Sequence, residues 1–526
     1  MLKLRKLIIV GLLLCLFSCK KDQLEPESIV HIEYKKENIP DFSYAGYKQS
    51  ESPIPFVKEV ITLSPKEGKD FANIQNAIDV LSNMPLVNGF RGAILLKAGT
   101  YRIDNTLRIK ASGVVLRGEG QGYNGTVIID TRAGSKLISA QVSKRKALSS
   151  LVIQGSNQVD YDYSRSALIQ TDFVKVAATS FEIDKNLGFS VGDTISVVKT
   201  TNDSWINELN MRQFGWTSDQ YQIGHTRVIS NIQGNTVYLN IPMDDQIKAI
   251  EGGGKIVKVS FPKRISNSGV ENLRMESSYT NDEDELHIWS AIHLIGVQDC
   301  WVRNVTSMYY AYSTVGLYGN SDFNTIQDCA MLEPKSLPVG DRRYAFHIIS
   351  GTGNLFQRCF SERGRHDFVT ASRVSGPNVF LDGYAATSIH EIGPHHRWAT
   401  GTLYDNIYGG VIAARNRESG GSGHGWSGAF NMFWNCKAAI SFKIENPPGA
   451  VNWLVGGVGT IAGDSYTASI GHPVEPRSLF ITQLTERIGA AKVRDIVTEK
   501  QLDGSVWNDL NRWAGNDKPL KTITAP

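Results

Sequence analysis

Beyond Phe17 the chain has no apolar run long enough to cross a bilayer, and after its first residues it has no long basic run. Its formal charge is only +3, from 55 lysines and arginines against 52 aspartates and glutamates. Nothing in this balance requires nucleic acid as a partner, so any electropositive surface must be local. A phosphate-cradling glycine loop, a nucleophile elbow and a zinc motif are all missing. The adjacent His395-His396 does not supply a zinc pair on a strand, because neighbours there face opposite ways. Cysteine is scarce as well, with six in 526 residues. Cys15 and Cys19 belong to the N-terminal leader, which leaves Cys300, Cys329, Cys359 and Cys436. In an exported chain four cysteines would ordinarily suggest two disulfides. Their positions in a repeat favour a reduced, buried column instead.

Lys3, Arg5 and Lys6 precede the apolar run Leu7 to Phe17, which ends in Leu16-Phe17-Ser18-Cys19. The run has signal-peptide flanks and is short for a membrane helix. Its end resembles a bacterial lipobox, which implies cleavage and lipidation at Cys19. Residues 1–19 are therefore expected to be a lipoprotein signal, and the polar, proline-dotted residues 20–58 a flexible tether. The expected location is outside the cytoplasm, anchored by lipid to the outer membrane at the cell surface or periplasmic face.

A short pattern recurs: Asn324-Thr-Ile-Gln-Asp-Cys329, Asn354-Leu-Phe-Gln-Arg-Cys359, Asn378-Val-Phe-Leu-Asp-Gly383, Asn431-Met-Phe-Trp-Asn-Cys436, and more loosely Cys300-Trp-Val-Arg-Asn-Val305. The steps from Cys329 to Cys359 and from Cys359 to Gly383 are unequal single turns, and the step from Gly383 to Cys436 is about two turns. Irregular turns of this length with period-2 apolar segments mark a parallel β-helix rather than a helical solenoid. Each turn lies roughly 4.8 Å from the last, so equivalent residues stack. Phe71 to Leu81 has helical apolar spacing, suited to capping the open end. Gly92-Ala-Ile-Leu-Leu-Lys-Ala-Gly-Thr-Tyr101 and Val114-Val-Leu-Arg-Gly118 follow as short strands. In this helix and the strand, Ala-Gly-Thr-Tyr, strand run, the sequence resembles the pectate-lyase-like superfamily. The resemblance covers about residues 60–155 and 265–460 and implies an all-β, right-handed parallel β-helix. The expected layout is N-terminal turns over 59–155, a β-rich insertion over 156–262 that could wall a cleft, the main β-helix over 263–475, and a helical C-terminal cap over 476–526.

The densest chemistry lies between residues 363 and 434. It includes Arg363-Gly-Arg-His-Asp367, His390-Glu-Ile-Gly-Pro-His-His-Arg-Trp398, Arg415-Asn-Arg417 and Gly423-His-Gly-Trp426. His366, His396 and His424 follow one another at intervals close to one turn, which predicts one basic, imidazole-rich groove. Elimination from a uronic acid needs a base for the proton beside the carboxylate, cations for the developing enolate and an acid for the leaving oxygen. His395 or His396 is the expected base, with His366 or His424 as acid and Arg365, Arg397 and Arg417 holding the carboxylate. Arg343, His347, Arg363, His390, Trp398, Arg415 and Trp426 complete the expected binding surface, the tryptophans by stacking on sugar.

The expected function is therefore a lyase acting on a uronate-containing polysaccharide, sulfated or not, such as ulvan, pectin, alginate or a glycosaminoglycan. Two alternatives stay open. One is a glycoside hydrolase drawing two carboxylates from Asp367, Asp382, Glu391 and Asp405; the other is a non-catalytic glycan-binding surface protein. The acidic segment Asn281-Asp-Glu-Asp-Glu-Leu-His287 offers Asp282, Asp284 and Glu285 as candidate Ca²⁺ ligands, against the plainer reading of a solvated turn. Calcium is the one cofactor considered, the partner is an anionic polysaccharide, and a monomer is expected.

Overall fold

A computed structural model describes residues 30–32, 38–134 and 141–514. Cys19 and the rest of the leader lie outside them.

Short strands pair in parallel from turn to turn, forming three columns along one solenoid. One column runs through Leu107–Ile109, Ser149–Gln154, Ser290–Ile295, Ser313–Tyr318, Phe346–Ile348, Phe368–Thr370 and Glu391–Pro394. It carries the candidate site. The other two share the long strands Gly269–Ser277, Trp301–Met308, Asn378–Ala386 and Thr402–Ala414, each of which bends from one column into the next. The protein is thus a parallel β-helix.

The repeat explains the interior. Register places Asn324, Asn354 and Asn378 above one another, and Asn354 Nδ2 donates to Asn378 Oδ1 at 3.1 Å. Asn431 and Asn452 continue the ladder at 3.2 Å. Such stacking satisfies amides that would otherwise be costly to bury. Phe346, Phe368, Phe380, Tyr404 and Phe433 form an aromatic stack inside, with successive centroids 4.9 to 5.8 Å apart. All four cysteines are free and buried. Cys329, Cys359 and Cys436 share a column with Gly383 and Ile407 between the last two, whereas Cys300 occupies the asparagine column and donates its amide to Asn324.

The helix Asp70–Ser82 buries Ile74, Ile78 and Leu81 on the first turns, as its spacing predicts. Two expectations need correction. Residues 38–58 are not a free tether: Phe42 and Ala45 are fully buried, and the Phe42 amide donates to Gln483 at 2.9 Å. Tyr47 packs edge-on against Trp301 at 5.5 Å, and Val30–His31 pairs with Val474–Glu475. The prolines there break helix and strand, but the apolar residues between them still seek cover. The C-terminal helices, Leu479–Ile488 through Trp507–Ala514, are not an end cap. They lie along a flank, with Leu479 and Leu484 packed near Leu381 and Trp434, and Val506, Leu510 and Trp513 against Ala330 and Phe360.

The insertion is a six-stranded antiparallel sheet, from Asp160–Leu168 to Gly254–Ser260. It leaves the solenoid after Gln154 but packs much further along, where Trp205 meets Trp398 edge-on at 4.8 Å. Arg227 and His225 pair with Asp244, whose carboxylate also receives the Thr400 hydroxyl at 2.8 Å. Lys199 pairs with Asp245, which accepts from Trp398 Nε1 at 3.2 Å. Buried networks of this kind fix one docking geometry.

Candidate active site

The site arises where turns enter and leave the first column. Phe346 pairs with Phe368 and Val369 with Gly393, which aligns Tyr344, His366 and His390 on successive turns. Their rings lie 4.8 and 6.0 Å apart. His366 therefore stacks with His390 and not with His396 as the one-turn spacing predicts, because this turn is shorter than the interval between those two histidines. His395 follows the strand Glu391–Pro394 and reaches the same spot from the other side. Its ring is 4.6 Å from His366, 4.9 Å from His396 and 4.9 Å from His424. His396 and His424 are 4.8 Å apart.

Four of these side chains, Tyr344, His395, His396 and His424, border an open cavity of about 650 Å³, together with Arg365 and Arg417 among others. His347 forms part of its floor, its Nε2 bonded to the Tyr318 hydroxyl at 2.9 Å. Gly316 makes room for that ring, since a Cβ there would meet His347 Nε2 at 2.4 Å.

Three groups form a hydrogen-bonded chain. His396 Nδ1 and His395 Nδ1 are 2.9 Å apart, and His395 Nε2 is 3.1 Å from the Tyr344 hydroxyl. Arg417 holds the His395 carbonyl at 2.9 Å and lies 3.6 Å from Glu391. Arg415 Nε donates to the same Glu391 carboxylate at 2.8 Å. Arg365 lies against Tyr344, yet its Nε and Nη1 are buried with no hydrogen-bond partner. An unsatisfied guanidinium edge at a cavity wall is suited to a carboxylate.

Burial holds the His395 imidazole well below its ordinary pKa, and His366 and Arg417 add to the shift. Burial, with His424 and Arg397 beside it, pushes His396 down to about 3. Burial and Arg417 bring His424 down to about 4. The histidines are thus neutral near pH 7 and able to accept protons. Tyr344 is raised by burial against the opposing pull of Arg365, so it keeps its proton.

Several expected site residues lie elsewhere. His366 is 1% exposed, sits behind His395 and donates through Nδ1 to the Glu391 carbonyl at 2.7 Å, which fixes its ring away from the cavity lining. His390 is exposed on the far side of His366, and Arg363 is exposed outside the cavity lining. Arg343 turns inward to Ser336, its Nε donating at 3.2 Å. Arg397 is engaged by the Ser422 and Gly423 carbonyls. Neither tryptophan offers a sugar platform. Trp398 is buried against the insertion, and Trp426 donates to the Leu209 carbonyl at 3.1 Å. The insertion instead grips the loop that carries His424. Trp216 Nε1 donates to the Gly423 carbonyl at 3.0 Å, and a Cβ on Gly423 would meet the Phe214 carbonyl at 2.0 Å.

The acidic segment does not fit a calcium ion. Asp282 accepts from Lys335 at 2.9 Å, Asp284 from the Thr280 and Leu286 amides, and Glu285 from Arg342 and Arg145. Each carboxylate is engaged separately, and no cluster of metal-ligating side chains occurs among the described residues. The carboxylates named for a hydrolase do not face one another across the cavity either. Asp367 is buried between Ser361 and Ser388, while Asp382 and Asp405 bind Arg477, Gln501 and Ser478 under the C-terminal helices. Glu391 is taken by its two arginines. Among the described residues the cavity lining holds one carboxylate, Asp341.

Tyr344 was not among the residues singled out from sequence. A signal existed: Tyr344-Ala-Phe346 and His366-Asp-Phe368 share one spacing, so both rings precede the same strand position.

No family model and no curated protein matches the chain. Among solved structures, an alginate lyase from Paenibacillus sp. str. FPU-7 aligns with TM-score 0.39 and 9% identity over 78% of this chain and 98% of its own. An endo-xylogalacturonan hydrolase from Aspergillus tubingensis gives 0.38 and 9%, over 78% and 92%. The tailspike of Pseudomonas phage phi297 gives 0.35 and 12%, over 76% and 68%. These likenesses are distant. By its own strand pairings, the chain has the parallel β-helix fold that its resemblance to pectate-lyase-like proteins implies.

Proposed function

We propose that the protein is a polysaccharide lyase that cleaves a uronic-acid chain by β-elimination. The observation that carries this reading is the chain from His396 through His395 to Tyr344, with the unpartnered edge of Arg365 beside it. Arg365 takes the uronate carboxylate and stabilises the enolate as it forms, with Arg417 adding positive charge. His396 Nε2 removes the proton from the carbon next to the carboxylate. Its Nδ1 proton passes to His395 Nδ1, the His395 Nε2 proton passes to the Tyr344 oxygen, and the Tyr344 hydroxyl proton goes to the leaving glycosidic oxygen. The C–H and C–O bonds break, a carbon–carbon double bond forms, and every relay member ends neutral. That neutrality matters, because a buried site beside two arginines disfavours imidazolium. A stepwise mechanism with a free imidazolium would be penalised here, and the relay avoids it.

The same reading includes export and anchoring at the outer membrane by lipid on Cys19, with the solenoid acting as a monomer on a soluble or surface polyanion. Loss of labelled palmitate from a Cys19→Ala protein tests the anchor. The activity is tested by incubating purified protein with pectin, alginate, ulvan and glycosaminoglycans and following the ultraviolet absorbance of unsaturated uronate. Absorbance that rises with native protein and not with Tyr344→Phe supports elimination. No absorbance with any uronate polymer overturns it, and new reducing ends without a double bond would assign hydrolysis instead.

A further inference from the structure

The cavity extends beyond the histidines, and its far end is built differently. There it is lined by Lys146 and Tyr312 from earlier turns and by Asp341 from the loop before Tyr344. Tyr312 precedes the strand Ser313–Tyr318, three turns before the strand that leads into His395. At roughly 4.8 Å per turn the two ends lie about 14 Å apart along the axis, further than one sugar ring reaches. Tyr312 connects them through Tyr344, its ring 5.3 Å from that of Tyr344, and Lys146 Nζ lies 5.9 Å from the Tyr312 ring.

The cations at this end differ in how they are held. Arg145 and Arg342 both pair with Glu285, whose side chain is 16% exposed, and both lie over the Trp289 ring. They are held in place beside the cavity and do not line it. Lys146 pairs at 2.8 Å with Asp341, whose side chain is 58% exposed on a loop containing Gly340. Exposed pairs of this kind are weakly held and exchange readily with other ions. Asp341 adds a little to the upward shift at Tyr344, which comes mainly from burial, and slightly opposes the downward shift at His424.

We propose that Lys146 forms a second subsite, which takes the carboxylate of another uronate in the same chain, and that Asp341 fills this subsite until substrate displaces it. The group Lys146 already holds is a carboxylate, so a uronate replaces it like for like. The inference rests on the uronate reading of the site and extends it to a neighbouring residue of the polymer. Substrate recognition is then spread over two anionic groups, one at Arg365 and one at Lys146, and favours chains long enough to reach both. Arrival of the second carboxylate also frees the loop bearing Asp341 from its ion pair.

The test is calorimetric binding of saturated uronate disaccharides and hexasaccharides to the full chain carrying Tyr344→Phe, which separates binding from turnover. The oligomers come from the polymer that is cleaved, or from polygalacturonate and alginate if none is. Lys146→Ala should lower the hexasaccharide-to-disaccharide affinity ratio about fivefold, Lys146→Arg should restore it, and Asp341→Asn should tighten the hexasaccharide. Asparagine tolerates the left-handed backbone at position 341, where φ is 65°, so this variant tests charge without disturbing the loop. Equal weakening of both oligomers by Lys146→Ala, or no gain from Asp341→Asn, overturns the subsite. Lys146-dependent binding with no unsaturated product from the native protein overturns the lyase reading alone. Product formed without any Lys146 dependence overturns the subsite alone.

Discussion

Two flanks of the same turns treat buried charge differently. On the flank under the C-terminal helices, Arg358 and Asp328 form a two-point ion pair with both side chains 2% exposed, and Asp382 receives Arg477 and Gln501. On the cavity flank the neighbouring turns leave Arg365 Nε and Nη1, His366 Nε2 and His424 Nδ1 without partners. Stacking supplies both flanks equally, so stacking does not cause the difference. The first flank is covered by helices that give its carboxylates partners, with Arg477 Nε and Nη1 left over there, while the second borders an open cavity. Buried polar groups without partners are costly, and they recur where a ligand completes them.

The largest effect that could overturn this contrast is on turnover. His395→Ala or Tyr344→Phe should cut the elimination rate by about 10² to 10⁴-fold while the melting temperature stays near that of native protein. Unchanged rates would mean that the open flank is not where chemistry occurs. On the closed flank the reverse is expected. Asp328→Ala strands Arg358 in the interior and should cost about 3 to 5 kcal/mol in a denaturant titration, with activity per folded molecule kept.

Smaller effects refine the contrast. His293 and His396 are held at about 3, and His347 and His424 at about 4, mainly by burial, so all four are neutral when folded. The unfolded chain takes up protons on these groups near pH 6.5, so stability is fully present above that pH and falls as pH drops toward 4. Melting curves across that window check the sign. The acidic limb of kcat/KM should likewise lie well below 6.5, because the relay loses its base only when the depressed imidazoles protonate. Trp216→Phe should have the mildest effect. It removes the bond to Gly423 that holds the His424 loop, and should lower kcat a few-fold with little change in global melting.

The repeated Asn and Cys positions made the solenoid legible, because residues that recur once per turn must stack if the turns are parallel. The concentration of histidine and arginine between 363 and 434 likewise marked the stretch that brings Arg365, His395, His396, Arg417 and His424 to one cavity. The pairing within it was not legible. Turn lengths vary, the turn from Ala330 to Phe360 being longer than the turn from Phe360 to Tyr384. A histidine one long turn away from another need not be its neighbour, and His366 meets His390. Trp398 and Trp426 carry no mark in the sequence showing that a sheet inserted much earlier in the chain covers them. Residues 38–58 read as linker because composition records their prolines and not the surface that buries Phe42 and Tyr47.

The period, the interior ladders and the chemical inventory follow from the order of residues alone, since they depend on which types recur and on the two-residue alternation of a strand. Which histidines touch, which arginine beside the cavity is left unsatisfied, and that Tyr344 completes the chain from His395 were settled only when the turns packed. Those outcomes depend on rung register and on lateral docking of the insertion and the C-terminal helices. Both are set by contacts between parts of the chain far apart in sequence, which no local pattern encodes.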